Sequence, residues 1–368
     1  MPELDTITVK GFKSIAAVKV KLGAINVVIG PNGSGKSNFI GVFSFLHAIR
    51  EGHLQEYVIR AGGAERVLHF GSKVTKMMHF HISFQEGVNQ YKLDLIPAQG
   101  DELVPASEMV YFWNKARYPN GPRGEGVGRI GKEAGISAPA GQRIAEYVRG
   151  HLGKWRLYHV HDTSSSSPMK KTADLNDNGF LRPDGSNIAS FLYFLRTKHE
   201  PSYSLIRRAV QRVAPFFDDF QLQPQQLNPD KILLEWRHKG SEAYFDASSL
   251  SDGTLRFIAL ATLLLQPVNY RPSVILVDEP ELGLHPYAIT MLAALIKQAS
   301  VQTQVIISTQ SPFLLDHFAP EDVLVADRVE GGTQFTRLES AKLSGWLEVY
   351  SLGQLWEKNE FGGRPSPE

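Results

Sequence analysis

The chain has 368 residues, with 39 lysines and arginines against 38 aspartates and glutamates, and it contains no cysteine. The missing cysteines exclude disulfides, cysteine-ligated zinc and thiol nucleophiles. The balanced charge means that any contact with nucleic acid has to come from a local basic patch. Met1–Lys21 has no continuous apolar core, and the longest apolar stretch, Phe257–Leu265, is too short to span a bilayer. We therefore expect a soluble, cytoplasmic protein without a membrane contact of its own.

The first hundred residues predict strands around one long helix. Alternating runs at Asp5–Val9 and Val18–Leu22 indicate edge strands, and the β-branched run Ile25–Ile29 indicates a buried strand. An apolar stripe at helical spacing predicts a helix from Lys36 to Ile49. Two alternating runs within Met77–Ile96 predict a hairpin.

The middle of the chain is less regular. Residues 119–141 hold seven glycines and three prolines, which predicts a long loop or a mobile insertion. A short strand follows at Trp155–Val160, and a polar loop comes after it. Further on, the patterns predict helices at Asn187–Lys198 and Tyr203–Val213, and strands at Ile232–Trp236 and Ala243–Phe245.

The last third alternates between helices and buried strands. We predict helices at Thr254–Leu265 and Tyr287–Ala299, and strands at Ser273–Val277 and Gln304–Ile307. Such alternation is typical of a parallel sheet covered on both faces, so we predict an α/β fold. The final residues, from Gly362 onward, are rich in glycine and proline and are predicted to be disordered.

A glycine-rich loop with a lysine follows the first buried strand and opens the first long helix. Its residues are Gly30, Pro31, Asn32, Gly33, Ser34, Gly35, Lys36 and Ser37, which match the spacing G-x-x-x-x-G-K-S. Glycines let successive backbone N–H groups surround an anion, and the helix N-terminus adds a favourable partial charge. We expect Lys36 to bind the β- and γ-phosphates and the Ser37 hydroxyl to be a ligand of Mg²⁺. The sequence therefore predicts binding of ATP and Mg²⁺.

Two carboxylates, Asp278 and Glu279, end the buried strand at Ser273–Val277. Ligands bind at the carboxyl ends of parallel strands in such sheets. We expect Asp278 to hold Mg²⁺ and Glu279 to orient and polarise the attacking water. A purely structural charge pair is the alternative.

The segment Leu250-Ser-Asp-Gly-Thr-Leu-Arg256 lies between these two nucleotide motifs. On its own it predicts only a helix start, with Ser251 as the N-cap residue. Together with Gly11-Phe-Lys13-Ser14, the glycine-rich loop, Asp278-Glu279 and the following Glu281-Leu-Gly-Leu-His285-Pro286, it resembles the ABC ATPase superfamily. The copy L-S-D-G-T is similar to that of the RecF-like, SMC-like and OLD-like branch of predicted ATPases, here without a long coiled coil or a TOPRIM nuclease region.

The resemblance implies a head that works as an ATP-sandwiched homodimer. It implies that Ser251 and the Gly253 backbone cap the γ-phosphate bound by the partner chain, that His285 faces the partner, and that Lys13 and Asn38 contribute to the nucleotide site. A cap at the Pro286 helix start is the alternative role of His285. The head would cover residues 1–362, divided into parts at 1–112, 113–250, 251–340 and 341–362, with 363–368 as a tail. The implied fold has a mostly parallel sheet, an antiparallel β subdomain and an inserted helical lobe.

Two positions depart from the family pattern. Where a switch histidine is common after the Gln304–Ile307 strand, this chain has Gln310, which can donate a hydrogen bond to a phosphate but cannot titrate. A polar strand end is the alternative interpretation. No Q-loop is evident, and the weak candidate is His161-Asp162.

Residues 113–156 form a basic segment, with nine lysines and arginines against three glutamates. Trp113, Tyr118, Tyr147 and Trp155 are interleaved with the cations, so the segment could contact a phosphate backbone. A solvated surface insertion is the alternative.

Three functions remain open from the sequence. The first is an ATP-driven switch that acts on DNA in repair or phage defence, or that controls a nuclease or effector partner. The second is the nucleotide-binding subunit of an ABC transporter. The third is a nucleotide-gated scaffold that hydrolyses ATP slowly. The F-K-S start, the L-S-D-G-T signature and Gln310 favour the first.

Overall fold

Strands and helices occur along the whole described chain in the computed structural model, which describes residues 4–138 and 141–363. The strands are Leu4–Phe12 (β1), Ile15–Lys21 (β2), Ile25–Ile29 (β3), Met78–Phe84 (β4), Asn89–Ala98 (β5), Glu102–Phe112 (β6), Arg123–Gly126 (β7), Arg129–Ile130 (β8), Glu133–Ala134 (β9), Trp155–Tyr158 (β10), Ala173–Asp174 (β11), Phe217–Gln221 (β12), Pro224–Gln225 (β13), Asn228–Ile232 (β14), Glu235–His238 (β15), Tyr244–Asp246 (β16), Val274–Asp278 (β17), Gln304–Ser308 (β18), Val323–Val329 (β19) and Gly332–Arg337 (β20). The α-helices are Lys36–Glu51 (α1), Leu54–Arg60 (α2), Ala64–Val67 (α3), Gly71–Val74 (α4), Arg143–Leu152 (α5), Ile188–Lys198 (α6), Glu200–Val213 (α7), Asp252–Leu265 (α8), Pro286–Ser300 (α9), Pro312–Leu315 (α10), Ser340–Leu347 (α11) and Leu352–Glu357 (α12).

The chain divides into two compact units. The terminal unit contains the described residues within 1–156 and 319–368, and the central unit contains residues 157–318. The glycine-rich loop belongs to the terminal unit, whereas Asp278, Glu279 and the L-S-D-G-T segment belong to the central unit.

An antiparallel sheet forms one layer of the terminal unit, with the strand order β2-β1-β4-β5-β6-β7. Alternate residues of β4 and β5 are buried, as expected when one face packs on the core and the other meets solvent. Phe12, Phe45 and Phe80 pack together on the buried face, with ring centroids 5.4 to 6.2 Å apart. Since Phe45 lies on α1, this cluster attaches the helix that follows the glycine-rich loop to the sheet.

A second group of strands in the terminal unit carries the glycine-rich loop. All five residues of β3 are buried, as its β-branched sequence predicts. Strand β3 pairs in parallel with β19, and β19 pairs in antiparallel fashion with β20. The loop therefore begins at the carboxyl end of a fully covered parallel strand.

In the central unit, parallel strands are combined with helices and small antiparallel sheets. Strands β17 and β18 pair in parallel, and helix α8 packs against both α7 and α9. The burial of α8 extends from Thr254 to Leu265, so this helix forms the centre of the unit. Two three-stranded sheets, β11-β14-β13 and β12-β15-β16, complete it.

The predicted α/β fold is confirmed, including parallel strands, an antiparallel sheet and most of the long helices. One predicted strand, Ile232–Trp236, is wrong, because β14 ends at Ile232 and β15 begins at Glu235. Leu234 lies between them and is buried, so the apolar run includes a connection between two strands. Strand β6 was not predicted, since its inward-facing Glu108 interrupts the apolar alternation.

The glycine-rich stretch at residues 119–141 differs from the predicted loop where it is described. It contains β7, which extends the antiparallel sheet, and the small hairpin of β8 and β9. The buried carboxylate of Glu108 accepts hydrogen bonds from the backbone N–H groups of Gly135 (2.6 Å) and Ile136 (2.9 Å) and from the hydroxyl of Tyr91 (2.9 Å). Burial raises the pKa of Glu108. The polar partners of a buried acid thus tie this stretch to the sheet.

The start of the predicted disordered tail is ordered. The backbone N–H of Gly363 donates to Asp327 at 2.8 Å, and the indole of Trp356 donates to the Gly363 carbonyl at 3.0 Å. The rest of the predicted tail, residues 364–368, lies outside the described residues. The predicted boundaries within the head, at 1–112, 113–250, 251–340 and 341–362, rest on the positions of the motifs and not on side-chain packing. They stay a proposal. Within the described ranges, none of the helices combines the length and apolar character needed to cross a membrane.

Candidate nucleotide site

The glycine-rich loop has the backbone shape that a phosphate requires. Gly30, Gly33 and Gly35 have φ angles of 148°, 82° and 102°, a region that side chains disfavour. A Cβ on Gly30 would lie 2.3 Å from the carbonyl oxygen of Ala326, and one on Gly35 would lie 2.0 Å from the Thr333 hydroxyl. Only glycine fits these two positions, which explains the spacing of the motif.

Polar groups line this loop in a way that fits a bound phosphate. The ammonium group of Lys36 donates to the carbonyl oxygens of Gly30 (2.7 Å) and Pro31 (2.9 Å), so the side chain lies over the loop. The Ser34 hydroxyl is buried and finds no hydrogen-bond partner among the described residues. Ser37 begins the exposed side of α1. A polyphosphate would supply acceptors to both Lys36 and Ser34.

A hydrogen-bonded link connects the loop helix to the turn between β1 and β2. The Asn38 amide donates to the Ser14 hydroxyl at 2.8 Å, and that hydroxyl shares a second bond of 2.8 Å with Thr333. Asn38, which is predicted to contribute to the nucleotide site, therefore also has a structural contact with Ser14. Lys13 occupies the same turn with a φ of 48°, and burial lowers its pKa.

The two predicted catalytic carboxylates end β17 in the central unit. Asp278 accepts a hydrogen bond from the Ser308 hydroxyl of the neighbouring strand β18. Glu279 has a φ of 41°, a left-handed conformation that is uncommon outside glycine and that concentrates at functional sites. Its backbone N–H donates to the Ser308 carbonyl at 2.9 Å, and its carboxylate accepts from the side-chain amide of Gln310. The structure therefore brings Gln310 to the predicted water-orienting residue.

A third carboxylate, Glu281, has a structural role that the sequence did not reveal. It accepts hydrogen bonds from the Thr309 hydroxyl and from the Gln310 backbone N–H. Burial raises its pKa, and the nearby charge of Glu279 acts in the same direction. Glu281 thus fixes the backbone that presents Gln310. The only sequence signal was its place in the family motif after Glu279.

The L-S-D-G-T segment forms the start of α8, as predicted. The Ser251 side chain caps the helix by accepting a hydrogen bond from the Thr254 N–H at 3.2 Å, and it remains exposed. A Cβ on Gly253 would lie 2.4 Å from the carbonyl oxygen of Gly283, in the loop after the acidic pair. Gly253 therefore has a packing reason to be glycine, in addition to its predicted contact with a phosphate.

Arg256 is a buried residue that sequence reasoning missed. Its guanidinium donates to the backbone carbonyls of Val160 (3.2 Å) and His161 (2.8 Å), and only 4% of the residue is exposed. It thereby joins the start of α8 to the segment proposed as the Q-loop. Burial lowers the pKa of His161, and the Asp162 carboxylate accepts hydrogen bonds from Ser164 within a local turn.

His285 caps the N-terminus of α9, which is the alternative to its predicted contact with a partner chain. Its Nδ1 accepts a hydrogen bond from the Tyr287 N–H at 3.3 Å, at the N-terminus of α9, and the side chain is exposed. Its predicted contact with a partner chain stays a prediction. Within residues 4–138 and 141–363 there is no cluster of three or more His, Asp or Glu able to hold a metal. Mg²⁺ needs few protein ligands when phosphates and waters complete its shell, so the assignment of Ser37 and Asp278 also stays a prediction.

Part of the basic segment at 113–156 packs against the protein itself. Arg149 and Arg156 donate to the backbone carbonyls of Ser137 (3.3 Å) and Trp155 (2.9 Å). Trp155 itself is buried against Phe43. Another part of the segment combines three exposed cations with two half-buried rings, and it consists of Trp113, Lys115, Arg117, Tyr118 and Arg123.

This cluster, which we call the cation–aromatic cluster, alternates charges with rings. The Arg123 guanidinium lies 4.4 Å from the Tyr118 ring centroid, and Arg117 lies 5.6 Å from the same ring. Lys115 lies 5.5 Å from the centroid of Trp113. These five residues of the terminal unit are therefore one candidate contact with nucleic acid, and the contact itself stays a prediction.

Comparisons with solved structures show a common fold. The chain is similar to an Smc head bound to the C-terminal winged-helix domain of ScpA, with a TM-score of 0.62, 17% identity, and coverage of 94% of this chain and 100% of that chain. It is also similar to an Smc head with an extended coiled coil bound to the C-terminal domain of ScpA, derived from Pyrococcus furiosus, with a TM-score of 0.58, 15% identity, and coverage of 95% and 99%. None of the curated proteins compared with the chain matches it.

A protein-family model matches residues 25–91 and 143–316, which is more than half of the chain. The matched ranges include the glycine-rich loop, Ser251, Asp278, Glu279 and Gln310. The resemblance to the RecF-like, SMC-like and OLD-like group of P-loop ATPases is thereby confirmed. The chain belongs to the family described as "AAA domain, putative AbiEii toxin, Type IV TA system".

Proposed function

We propose that the protein binds ATP with Mg²⁺ and hydrolyses it to ADP and phosphate. The observation that carries this proposal is the glycine-built loop at the end of β3, where two glycines meet neighbouring atoms that no side chain could approach. Such a loop at a helix N-terminus is suited to a phosphate chain. Mg²⁺, when bound, would neutralise phosphate charge, and Ser37 and Asp278 are its proposed ligands.

Lys36, Glu279 and Gln310 each have a proposed part in the reaction. Lys36 binds the β- and γ-phosphates through its ammonium group. Glu279 orients the water through the carboxylate that Gln310 contacts. The Gln310 amide is suited to donate to the γ-phosphate, because it has two N–H groups and the bond to Glu279 uses one of them. The left-handed backbone of Glu279 supports a functional role for this position.

We also propose that two copies of the chain enclose the nucleotides. Ser251 is exposed at the positive end of α8. A residue that caps a phosphate bound by a partner chain has to be exposed in this way. Leu282, in the loop after the acidic pair, is 50% exposed, and Tyr287, near the start of α9, is 51% exposed. They lie on either side of His285 in the sequence. Burying these side chains in a closed two-fold dimer would contribute to association.

The binding step and the hydrolysis step can be tested separately. Lys36→Ala is expected to abolish or greatly weaken ATP binding in titration calorimetry, because it removes the charge on the phosphates. Glu279→Gln is expected to keep binding but to slow phosphate release by about a hundredfold or more, which is the range for loss of a proton-accepting side chain. Glu348→Gln, an exposed change at the end of α11, is the control. A Glu279→Gln protein with the turnover of the parent would contradict the proposed role of Glu279.

A second candidate function, contact with nucleic acid, is supported by the cation–aromatic cluster. Its three cations can neutralise phosphates, and its two rings can stack on bases. We propose on this basis that the ATPase cycle acts on DNA, or controls a nuclease or effector partner, in DNA repair or phage defence. Measured binding of a DNA oligonucleotide, with and without ATP, is the direct test.

A further inference from the structure

Phe70 is an exposed aromatic residue in a strained backbone conformation. Its φ is 53°, and 60% of the residue is accessible to solvent. A bulky residue rarely adopts a positive φ, and such strain persists where the surrounding structure imposes it. The ring is too exposed for the conformation to be explained by core packing. The ring is therefore available for contact with a molecule outside the chain.

The backbone before Phe70 is fastened to the turn between β1 and β2. The His69 N–H donates to the Gly11 carbonyl at 3.0 Å, and Nδ1 of the His69 ring donates to the Lys13 carbonyl at 2.7 Å. The Thr75 hydroxyl donates to the His69 carbonyl. The His69 ring also contacts the Phe70 ring, with centroids 4.3 Å apart. The hydrogen bonds of His69 thus fix the backbone next to Phe70, and the His69 ring packs against the Phe70 ring.

A short series of neighbours leads from the Phe70 ring to the glycine-rich loop. A Cβ on Gly331, in the turn between β19 and β20, would lie 3.3 Å from the Phe70 ring. Thr333 follows two residues later, about 7 Å along the strand. The Thr333 N–H donates to the Ser14 carbonyl at 2.9 Å, and the hydroxyls of the two residues are hydrogen-bonded at 2.8 Å. A Cβ on Gly35 would lie 2.0 Å from the Thr333 hydroxyl. All these residues belong to the terminal unit.

We infer that the Phe70 ring is the platform on which the purine base of the bound nucleotide stacks. The inference rests on the proposed binding of a nucleotide by the loop at Gly30–Ser37. An exposed ring linked to the phosphate loop through Gly331 and Thr333 offers the face that a base requires. Stacking on it excludes water from both partners. The ring face contacts a base without hydrogen bonds, so Phe70 would hold adenine and guanine alike.

A base-free ligand separates this role from general damage to the site. The experiment compares ADP with inorganic pyrophosphate, each with Mg²⁺, by titration calorimetry. Neither probe depends on hydrolysis, and only ADP carries a base. We expect Phe70→Ala to weaken ADP binding by about fivefold or more and to leave pyrophosphate binding unchanged. GDP binding should fall by the same factor as ADP binding, and Phe70→Trp should retain most of the affinity for both nucleotides.

Two sets of controls exclude folding and protein docking as explanations. Phe70→Asn removes the ring but suits a left-handed backbone, so it should match Phe70→Ala in binding while its unfolding temperature stays close to that of the parent. Val74→Ala and Met77→Ala alter apolar side chains that are close to Phe70 in the sequence and are 64% and 51% exposed. They should leave ADP binding unchanged, whereas a face that docks a protein would depend on all three side chains.

The outcomes distinguish this inference from the proposed function. If the parent protein binds ADP and pyrophosphate, and Phe70→Ala and Phe70→Asn weaken both ligands equally or neither, Phe70 is not the base platform. The same holds if Val74→Ala lowers ADP affinity as much as Phe70→Ala does. If the parent protein binds neither ligand while remaining folded, the proposed nucleotide site is wrong, and the role of Phe70 is wrong with it. A selective loss of ADP affinity supports the inference.

Discussion

The side-chain amide of Gln310 donates a hydrogen bond to the carboxylate of Glu279 across 31 residues of sequence. The two residues follow neighbouring parallel strands, β17 and β18, whose carboxyl ends meet at one edge. An amide does not titrate, so Gln310 presents the same donors at any pH at which the protein is folded. A histidine in this position would change its charge near neutral pH.

Replacing Gln310 should slow hydrolysis without preventing nucleotide binding. Gln310→Ala removes a donor to Glu279, and we expect turnover to fall about tenfold or more, in the range found for single preorganised hydrogen-bond donors. Gln310→Glu should be slower still, because it places a second negative charge beside Glu279. Steady-state phosphate release measures turnover, and titration calorimetry measures ATP binding. Equal turnover in Gln310→Ala and the parent would leave Gln310 as a polar strand end.

Local sequence was sufficient to predict the parts of the site that local chemistry determines. The loop at Gly30–Ser37 depends on glycines at fixed spacing, and Ser251 caps the helix that follows it in the sequence. The strand that ends at Asp278 is a short apolar run that forms a buried strand as expected. For the helix cap and the strand, the determining interactions span only a few residues. The loop is recognisable from its local spacing, although the atoms that crowd Gly30 and Gly35 belong to the distant residues Ala326 and Thr333.

Interactions between distant residues could not be predicted in this way. Ser14 and Thr333 are 319 positions apart, and Arg256 and His161 are 95 positions apart. Hydrophobic periodicity carries no information on which buried arginine meets which carbonyl, because arginine is ordinarily a surface residue. The basic segment at 113–156 gives a related example. Arg149 and Arg156 have backbone carbonyl partners that the sequence does not reveal.

The buried guanidinium of Arg256 should contribute measurably to stability. Arg256→Met removes the donors to two backbone carbonyls, and we expect it to lower the free energy of unfolding by about 3 kcal/mol, the range for removing charged hydrogen bonds from a buried site. Urea denaturation measures the change. Arg212→Met, on the exposed side of α7, is the matched control and should change stability by less than about 0.5 kcal/mol. A decrease in Arg256→Met no larger than in the control would mean that water replaces both bonds.

If the cation–aromatic cluster binds nucleic acid, its charge should control the affinity. Reversing Lys115, Arg117 and Arg123 to glutamate should weaken binding of a DNA duplex. The slope of log affinity against log salt should become shallower by about 0.9 for each DNA phosphate that these cations no longer neutralise. Basal ATP turnover should not change. Fluorescence anisotropy over a range of salt concentrations measures both the affinity and its salt dependence.

A matched control for this experiment is Lys358→Glu. Lys358 is also an exposed lysine over an aromatic ring, 3.4 Å from the Tyr350 centroid, but it lies outside the cluster. Its reversal should leave DNA affinity nearly unchanged. Equal decreases in affinity from Lys358→Glu and from the triple reversal would indicate a nonspecific effect of net charge. Absence of DNA binding by the parent protein would leave the cluster as a solvated surface.

A mixing experiment tests whether the active site is shared between two chains. Lys36→Ala removes the phosphate-binding ammonium group, and Ser251→Arg places a large side chain at the exposed start of α8. Each variant alone should be inactive, because both of its sites carry the defect. In a mixed dimer, one site combines both defects, and the other has an intact Lys36 from one chain and an intact Ser251 from its partner. Mixing should therefore restore part of the ATP turnover, up to about half of the parent value per dimer if one good site suffices.

Two measurements decide how a negative result is interpreted. Fluorescence energy transfer between labelled chains measures the exchange of protomers. When exchange is seen, a lack of rescue cannot come from a lack of mixing. Light scattering of Glu279→Gln with ATP should show a dimer that is absent without nucleotide, because a ligand bound across an interface stabilises association. If exchange occurs, mixing restores nothing and ATP produces no dimer, then Ser251 acts only as the helix cap seen within one chain. If ATP produces the dimer but mixing restores nothing, hydrolysis requires both sites to be intact at once.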